Sequence, residues 1–156
     1  MTGLAIVDTN LLGLLIVGSA SRSYIKAHKR IGADFTTDHF ELLVELLARF
    51  DNIILLPQVI SETSNLIRQI SYPARNHIQI VLKNIVESSP EFPVTSLDGI
   101  GRSEYYQLGV TDACILHLCN LDVNGMEPTL LSIDGDLVNI ANSLGYNVID
   151  YRNFLE

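Results

Sequence analysis

The chain contains few cysteines. Of its 156 residues, only Cys114 and Cys119 are cysteine, and both fall in one apolar segment. Their spacing gives no disulfide framework, so we expect a protein of the reducing cytoplasm. His117 shares a predicted helix with them, but three such residues without a fourth partner make a poor zinc site.

Positive charge is also scarce. The chain has 10 lysines and arginines against 18 aspartates and glutamates, and its formal net charge is −8. This balance argues against a protein that coats nucleic acid through a broad basic face. An enzyme whose acidic pocket recruits divalent cations stays compatible with it, because bound cations invert the local field.

Long apolar runs are missing as well. The apolar stretch 11–17 is followed by small residues, but it is far shorter than the roughly 20 residues of a membrane span. No basic segment precedes this stretch, and Asp8 and Asn10 lie beside it, unlike in a signal peptide. We therefore expect a cytoplasmic protein that does not associate with a membrane.

The chain does contain short apolar runs that alternate with amphipathic segments. Hydrophobic residues make up 47% of it, which is enough for the core of one domain spanning 1–156. Strands are predicted at 4–9, 52–57, 128–134 and 146–151, with an edge strand at 92–97. Helices are predicted at 10–17, 37–50, 57–70, 74–88, 111–121 and 135–145. The alternation predicts a single-domain α/β fold, with a mainly parallel central sheet in a three-layer α/β/α arrangement.

Residues 18–37 are predicted to form a loop insert. The insert is locally basic, with positive charges at Arg22, Lys26, Lys29 and Arg30. Such a segment either guides a nucleic-acid backbone or is an ordinary solvated loop, and the sequence leaves both interpretations open.

Acidic residues follow several of the predicted strands. Asp8 comes directly after the first strand, and Asp134 follows "LLSI", with Asp136 two positions further. Asp112 lies at the start of a helix, and Glu62 lies in the early turns of the helix after the second strand. Ligands of parallel α/β sheets bind beyond the carboxyl ends of the strands, so these side chains can meet at one edge.

Each of these acids also has a purely structural interpretation. Aspartate is a favoured N-cap, and Asp8, Asp112 and Asp134 all precede apolar helical segments. Thr9 or Asn10 can cap the first helix instead, which would leave Asp8 free to face a pocket. Several carboxylates at one edge repel one another unless some take up protons or bind a cation. Oxygen-only ligands suit a hard divalent cation, Mg²⁺ or Mn²⁺.

Four motifs, in their order along the chain, resemble those of the PIN-domain ribonucleases, especially the toxins of bacterial and archaeal toxin–antitoxin pairs. They are "IVDTN", "PQVISET", "GVTDACIL" and "LLSIDGDL". The resemblance covers nearly the whole chain and implies a PIN-like nuclease domain over residues 1–156. It matches the family's four acids to Asp8, Glu62, Asp112 and Asp134, the last with Ser132 in a Thr/Ser-x-Asp setting.

The activity that this resemblance implies is divalent-metal-dependent hydrolysis of RNA phosphodiester bonds by an endoribonuclease. The four acids would be catalytic and would hold Mg²⁺ or Mn²⁺, with Asp136 as a further metal ligand. Asp8 and Asp112 would be the core ligands, while Glu62 would hold a second ion or orient the attacking water. The implied partners are an RNA substrate, an antitoxin protein and a second copy of the chain in a homodimer.

Two other functions are compatible with parts of the pattern. A phosphatase of the haloacid dehalogenase type also begins with a strand-end aspartate, but it needs a second acid two positions later, where this chain has Asn10. A catalytically silent PIN-like binding or scaffold module would keep the fold and lose the acids, whereas this chain keeps them.

Overall fold

The computed structural model describes residues 2–155. Within them, the strands form one parallel sheet in the order β2-β1-β3-β4, with helices packed around it. The strands are β1 (Leu4–Val7), β2 (Asn52–Ile53), β3 (Thr129–Ser132) and β4 (Val148–Asp150). The α/β fold class and the three-layer arrangement predicted from the sequence are thereby confirmed.

The helices account for most of the remaining chain. They are α1 (Thr9–Ala20), α2 (Arg22–Ala27), α3 (Ile31–Asp34), α4 (Thr37–Leu47), α5 (Pro57–Ile67), α6 (Ala74–Ser88), α7 (Ser96–Ile100), α8 (Tyr105–Leu108), α9 (Val110–Cys119) and α10 (Gly135–Ser143), followed by a 3-10 turn at Tyr151–Phe154. No helix within residues 2–155 is long and apolar enough to cross a membrane.

Strands β1 and β3 lie at the centre of the sheet, where the last three residues of each strand are buried. Their register pairs Val7, the last residue of β1, with Leu131, the second-last residue of β3. The next residues, Asp8 and Ser132, therefore lie side by side at the carboxyl edge of the sheet. Strand β4 continues this edge, because its last residue, Asp150, pairs with Ser132.

Helix α1 is the most deeply buried helix that bears on this edge. It is apolar around its whole circumference, with fully buried residues on every side, among them Leu11, Leu12, Leu14, Ile16 and Val17. Its close packing depends on glycine: a Cβ added at Gly18 would lie 2.2 Å from the ring of Phe40. Because α1 is enclosed in this way, the residue at its start is held firmly against the end of β3.

The prediction of a loop at 18–37 is wrong. Helix α1 extends to Ala20, and helices α2 and α3 occupy much of the remainder. These short helices are stabilised by tertiary packing, since Ile25, Ile31 and Phe35 are buried in the core. Buried His28 joins them to α5: its Nδ1 accepts from the Ile31 N–H at 3.2 Å, and its Nε2 lies 3.2 Å from the Ile67 carbonyl oxygen.

Two of the predicted strands are shorter than expected. The predicted strand 52–57 contains only the two residues of β2, and Leu55 then forms an isolated parallel bridge with Glu91. The edge strand predicted at 92–97 does not form within the described chain, where α7 begins at Ser96. Prolines at 57, 90 and 93 explain both results, because proline cannot donate to a β-ladder.

Candidate functional site

Asp8 is the buried centre of the acidic edge, with 5% of its surface exposed. Its Oδ1 accepts from the Leu11 N–H at 3.0 Å, which makes Asp8 the N-cap of α1. Its Oδ2 accepts from the Ser132 hydroxyl at 2.5 Å and from the Ile133 N–H at 3.0 Å. The alternative caps Thr9 and Asn10 are not used, because α1 already begins at Thr9.

Burial raises the pKa of the Asp8 carboxyl above its ordinary value. The hydrogen bonds from Ser132, Leu11 and Ile133 act in the opposite direction, and the nearby charge of Asp134 adds to the rise. Three protein donors thus do not fully compensate a carboxylate that has been taken out of water. Asp8 caps a helix and is also a group that a cation would stabilise.

Asp112 has no capping role. Helix α9 starts at Val110 after Gly109, whose φ of +88° is a conformation that favours glycine, and Asp112 therefore lies inside the first turn. Burial, followed by the charges of Asp134, Asp8 and Glu62 in that order of importance, raises the pKa of the Asp112 carboxyl to about 7. Hydrogen bonds do not contribute to this shift. Asp112 is the least compensated carboxylate of the four predicted catalytic acids.

Glu62 lies on the second turn of α5, and its carboxylate contacts the first turns of two other helices, α1 and α9. Its Oε1 accepts from the Thr9 hydroxyl at 3.4 Å, and its Oε2 accepts from the Thr111 hydroxyl. Each threonine is the chain neighbour of another candidate acid, Asp8 in the first case and Asp112 in the second. The contact between Thr111 and Glu62 spans 49 positions in sequence, so no local pattern could have indicated it.

Asp134 is the N-cap of α10. Its Oδ1 accepts from the N–H groups of Asp136 and Leu137 at 3.0 and 3.2 Å, and the side chain is exposed. Its charge nevertheless raises the pKa values of both Asp8 and Asp112. Asp136 lies one residue into the helix, is exposed, and is not among the charges that raise those two pKa values. Asp8, Glu62, Asp112 and Asp134 therefore form one electrostatic cluster, and the role predicted for Asp136 stays a prediction.

A positive charge lies next to this cluster. Arg152 donates to Asp150 through Nε at 2.9 Å and Nη2 at 2.6 Å, a two-pronged ion pair. A Cβ added at Gly135 would lie 2.5 Å from the Arg152 Nη1. The hydrogen bond to Asp150 raises the pKa of Arg152, and the charge of Asp134 makes a smaller contribution in the same direction. Neither member of this pair was predicted as a site residue. Asp150 is the last residue of β4 and, like Asp8, comes directly after apolar residues of a strand, so the same reasoning would have selected it.

The chemistry of the donor set fits a hard divalent cation. All four clustered side chains offer carboxylate oxygens, and the oxygen-rich set matches the preference of Mg²⁺ and Mn²⁺. As they stand, Asp8, Glu62 and Asp134 are hydrogen-bonded to protein groups, and within residues 2–155 no three acidic, histidine or cysteine side chains form a ready metal-binding group. The exposed side chains of Glu62 and Asp134 would have to turn toward Asp8 and Asp112 to share an ion.

No protein-family model matches the chain, and no curated protein sequence matches it either. Any functional proposal therefore rests on this chain's own residues and on their arrangement.

Proposed function

We propose that the chain is a divalent-metal-dependent endoribonuclease of the PIN type, which hydrolyses RNA phosphodiester bonds. One observation carries the proposal: the carboxylates of Asp8, Glu62, Asp112 and Asp134 lie together at the carboxyl edge of the parallel sheet, where burial and neighbouring negative charges raise the pKa values of Asp8 and Asp112. None of the ion pairs among residues 2–155 neutralises Asp8, Asp112 or Glu62. Uncompensated acids that lie together in this way favour a functional site over a structural one.

Asp8 and Asp112 are the proposed principal ligands for Mg²⁺ or Mn²⁺. Asp8 is held on both oxygens by α1 and by the segment after β3, so its position is fixed before any ion arrives. Asp112 contributes a carboxylate that a cation would stabilise, because burial and three like charges raise its pKa to about 7. When bound, such an ion lowers the pKa of a water molecule and offsets negative charge on the scissile phosphate.

Glu62 and Asp134 are the proposed outer acids. Glu62 accepts hydrogen bonds from the hydroxyl groups of Thr9 and Thr111, and these bonds orient its two oxygens toward the starts of α1 and α9. A carboxylate oriented in this way is suited to position the attacking water or to hold a second ion. Asp134 keeps its Oδ1 on the backbone of α10, so its Oδ2 is the oxygen that can turn toward the cluster.

A cleavage assay on total RNA and on a defined RNA tests the proposal. We expect the wild-type protein to cut RNA with Mn²⁺ and to stop in excess chelator. Asp8→Asn and Asp112→Asn should each lower cleavage by at least about a hundredfold, as the loss of a group that acts on the reacting phosphate does. Asp122→Asn, at an exposed position outside the cluster, is the matched control and should cleave normally.

Full cleavage by Asp8→Asn or by Asp112→Asn would contradict the assignment. Absence of cleavage by the wild-type protein on every RNA, with Mn²⁺ bound between these acids, would instead favour the silent binding module.

The resemblance extends the proposal to a homodimer and to an antitoxin partner. Exposed apolar side chains support a partner surface: Tyr106 has 88% of its surface exposed and Leu42 has 39%. Sedimentation analysis of the purified chain tests the dimer. Rescue of growth by the product of an adjacent small gene tests the toxin role.

A further inference from the structure

A polar groove with a volume of about 350 Å³ lies directly beside the acidic cluster. Glu62 belongs to both the groove and the cluster, and Thr9, whose hydroxyl donates to Glu62, also lines the groove. The groove and the cluster therefore form one continuous surface. The remaining polar side chains that line the groove are Asn10, Arg30, Asn65 and Gln69. Its volume is at the low end of the roughly 300–1,000 Å³ typical of small-ligand sites, which suits a single ligand unit.

The groove has a negative end and a positive end. Glu62 and Asn65 are three residues apart and share one face of α5, and Gln69 follows just beyond the end of that helix. Arg30 lies near the far end of α5, because His28, two residues before it, contacts the carbonyl of Ile67. The five residues from Glu62 to Ile67 correspond to roughly 8 Å along a helix axis.

The polar side chains of the groove are free to bind a ligand. Within residues 2–155, the side chains of Asn10, Asn65, Gln69 and Arg30 take part in none of the side-chain hydrogen bonds or ion pairs that hold the fold together. In the same basic segment, Arg22 is engaged, since it forms an ion pair with Glu41 at 3.1 Å. Of the four basic residues of the segment 18–37 that could guide an RNA backbone, Arg30 is the one that lines the groove.

We propose that this groove binds the nucleotide next to the scissile phosphate and selects a purine base at that position. This inference rests on the proposed nuclease function, because it assigns the scissile phosphate to the acidic cluster. Asparagine and glutamine pair with N6 and N7 of adenine, and arginine pairs with O6 and N7 of guanine. Three amides and one guanidinium around a space for one ligand unit therefore match the N7 edge of a purine.

Binding of labelled five-nucleotide RNAs that differ at one position tests the groove without cleavage, in chelator and at low salt. We expect the wild-type protein to bind the purine-containing RNAs more tightly than the pyrimidine-containing ones. Arg30→Ala should weaken binding about tenfold, and the Asn65→Ala/Gln69→Ala double variant should lose the purine preference. The matched controls are Arg49→Ala and Asn76→Ala, which remove an exposed arginine and an exposed amide outside the groove.

A second measurement separates this inference from the proposed function. Cut sites produced with Mn²⁺ from an RNA library of random sequence should carry a purine at one flanking position, and the double variant should cut without that preference. Purine-selective binding that depends on Asn65 and Gln69, without Mn²⁺-dependent cleavage, would uphold the groove and refute the nuclease. Cleavage or binding with no base preference, or with a preference that the double variant retains, would refute the groove.

Discussion

The substitution Asp112→Asn should inactivate the proposed enzyme and, without metal, make the protein more stable. The Asp112 carboxyl has its pKa raised from 3.8 to about 7, and a rise of this size corresponds to about 4 kcal/mol for a fully buried group. Since Asp112 is only partly buried and water screens its charge, we expect a gain of about 1–2 kcal/mol in the free energy of unfolding at pH 7.5. Asparagine has nearly the same shape and carries no charge to repel Asp134, Asp8 and Glu62.

The gain should depend on pH in a defined direction. Between about pH 4 and pH 7 the folded protein holds a proton on Asp112 that the unfolded chain has lost, so the wild-type free energy of unfolding falls as pH rises through this range. Asp112→Asn should reduce this slope and leave the part due to Asp8, whose pKa burial also raises, and the difference between the two proteins should shrink at pH 5. Urea unfolding in chelator at pH 5 and pH 7.5 measures the difference in the free energy of unfolding between the two proteins. Asp122→Asn is the control and should match the wild type.

Equal or lower stability of Asp112→Asn at pH 7.5 would refute this account of the site. The same denaturation series with Mn²⁺ adds an independent result. The ion should stabilise the wild-type protein by binding the folded state and should have little effect on Asp112→Asn.

Three further perturbations test other parts of the structure. Ser132→Ala removes the hydroxyl that donates to the Asp8 Oδ2, so the free energy of unfolding in urea should fall by about 1–3 kcal/mol and RNA cleavage should become slower. An unchanged free energy of unfolding together with an unchanged cleavage rate would contradict the role given to this hydrogen bond. Gly18→Ala should cost about 1–3 kcal/mol in the same assay, because the added Cβ would collide with Phe40, and a neutral result would mean that α1 can move away from α4. Burial lowers the pKa of His28, so the wild-type protein should lose stability as pH falls below 6.5, and His28→Gln should lose less; identical pH profiles would exclude His28 as the cause.

The sequence predicted best those elements whose pattern is local. Helix α6 was predicted at its observed bounds, and α5 begins at Pro57 as expected for proline at a first helical position. The helices inside 18–37 were missed because each is too short to show a periodic pattern. They are stable only through the burial of residues such as Ile25 and Ile31.

The candidate site shows the same division. The positions of Asp8 and Asp134 could be predicted, because each directly follows a buried apolar strand. Which acids serve as helix caps could not be predicted, since this depends on the residue at which each helix begins. Helix α9 begins at Val110, directly after Gly109, so Asp112 lies inside its first turn and is not a cap, whereas Asp8 is the N-cap of α1. The contact between Glu62 and Thr111 depends on how α5 packs near α9, which is a property of the whole fold.

Because the core encloses α1, the proposed site has a rigid part around Asp8 and a more flexible part that contains Glu62 and Asp134. The N–H groups of Asp8, Leu11 and Leu12 are hydrogen-bonded, and all three residues are buried in the core, so their deuterium uptake should require opening of the entire molecule. Glu62 and Asp134 lie on the outside, and their side chains can change rotamer in nanoseconds. We therefore expect a partner that inhibits the proposed enzyme to act on the outer acids, because Asp8 is held by hydrogen bonds to α1 and to the segment after β3.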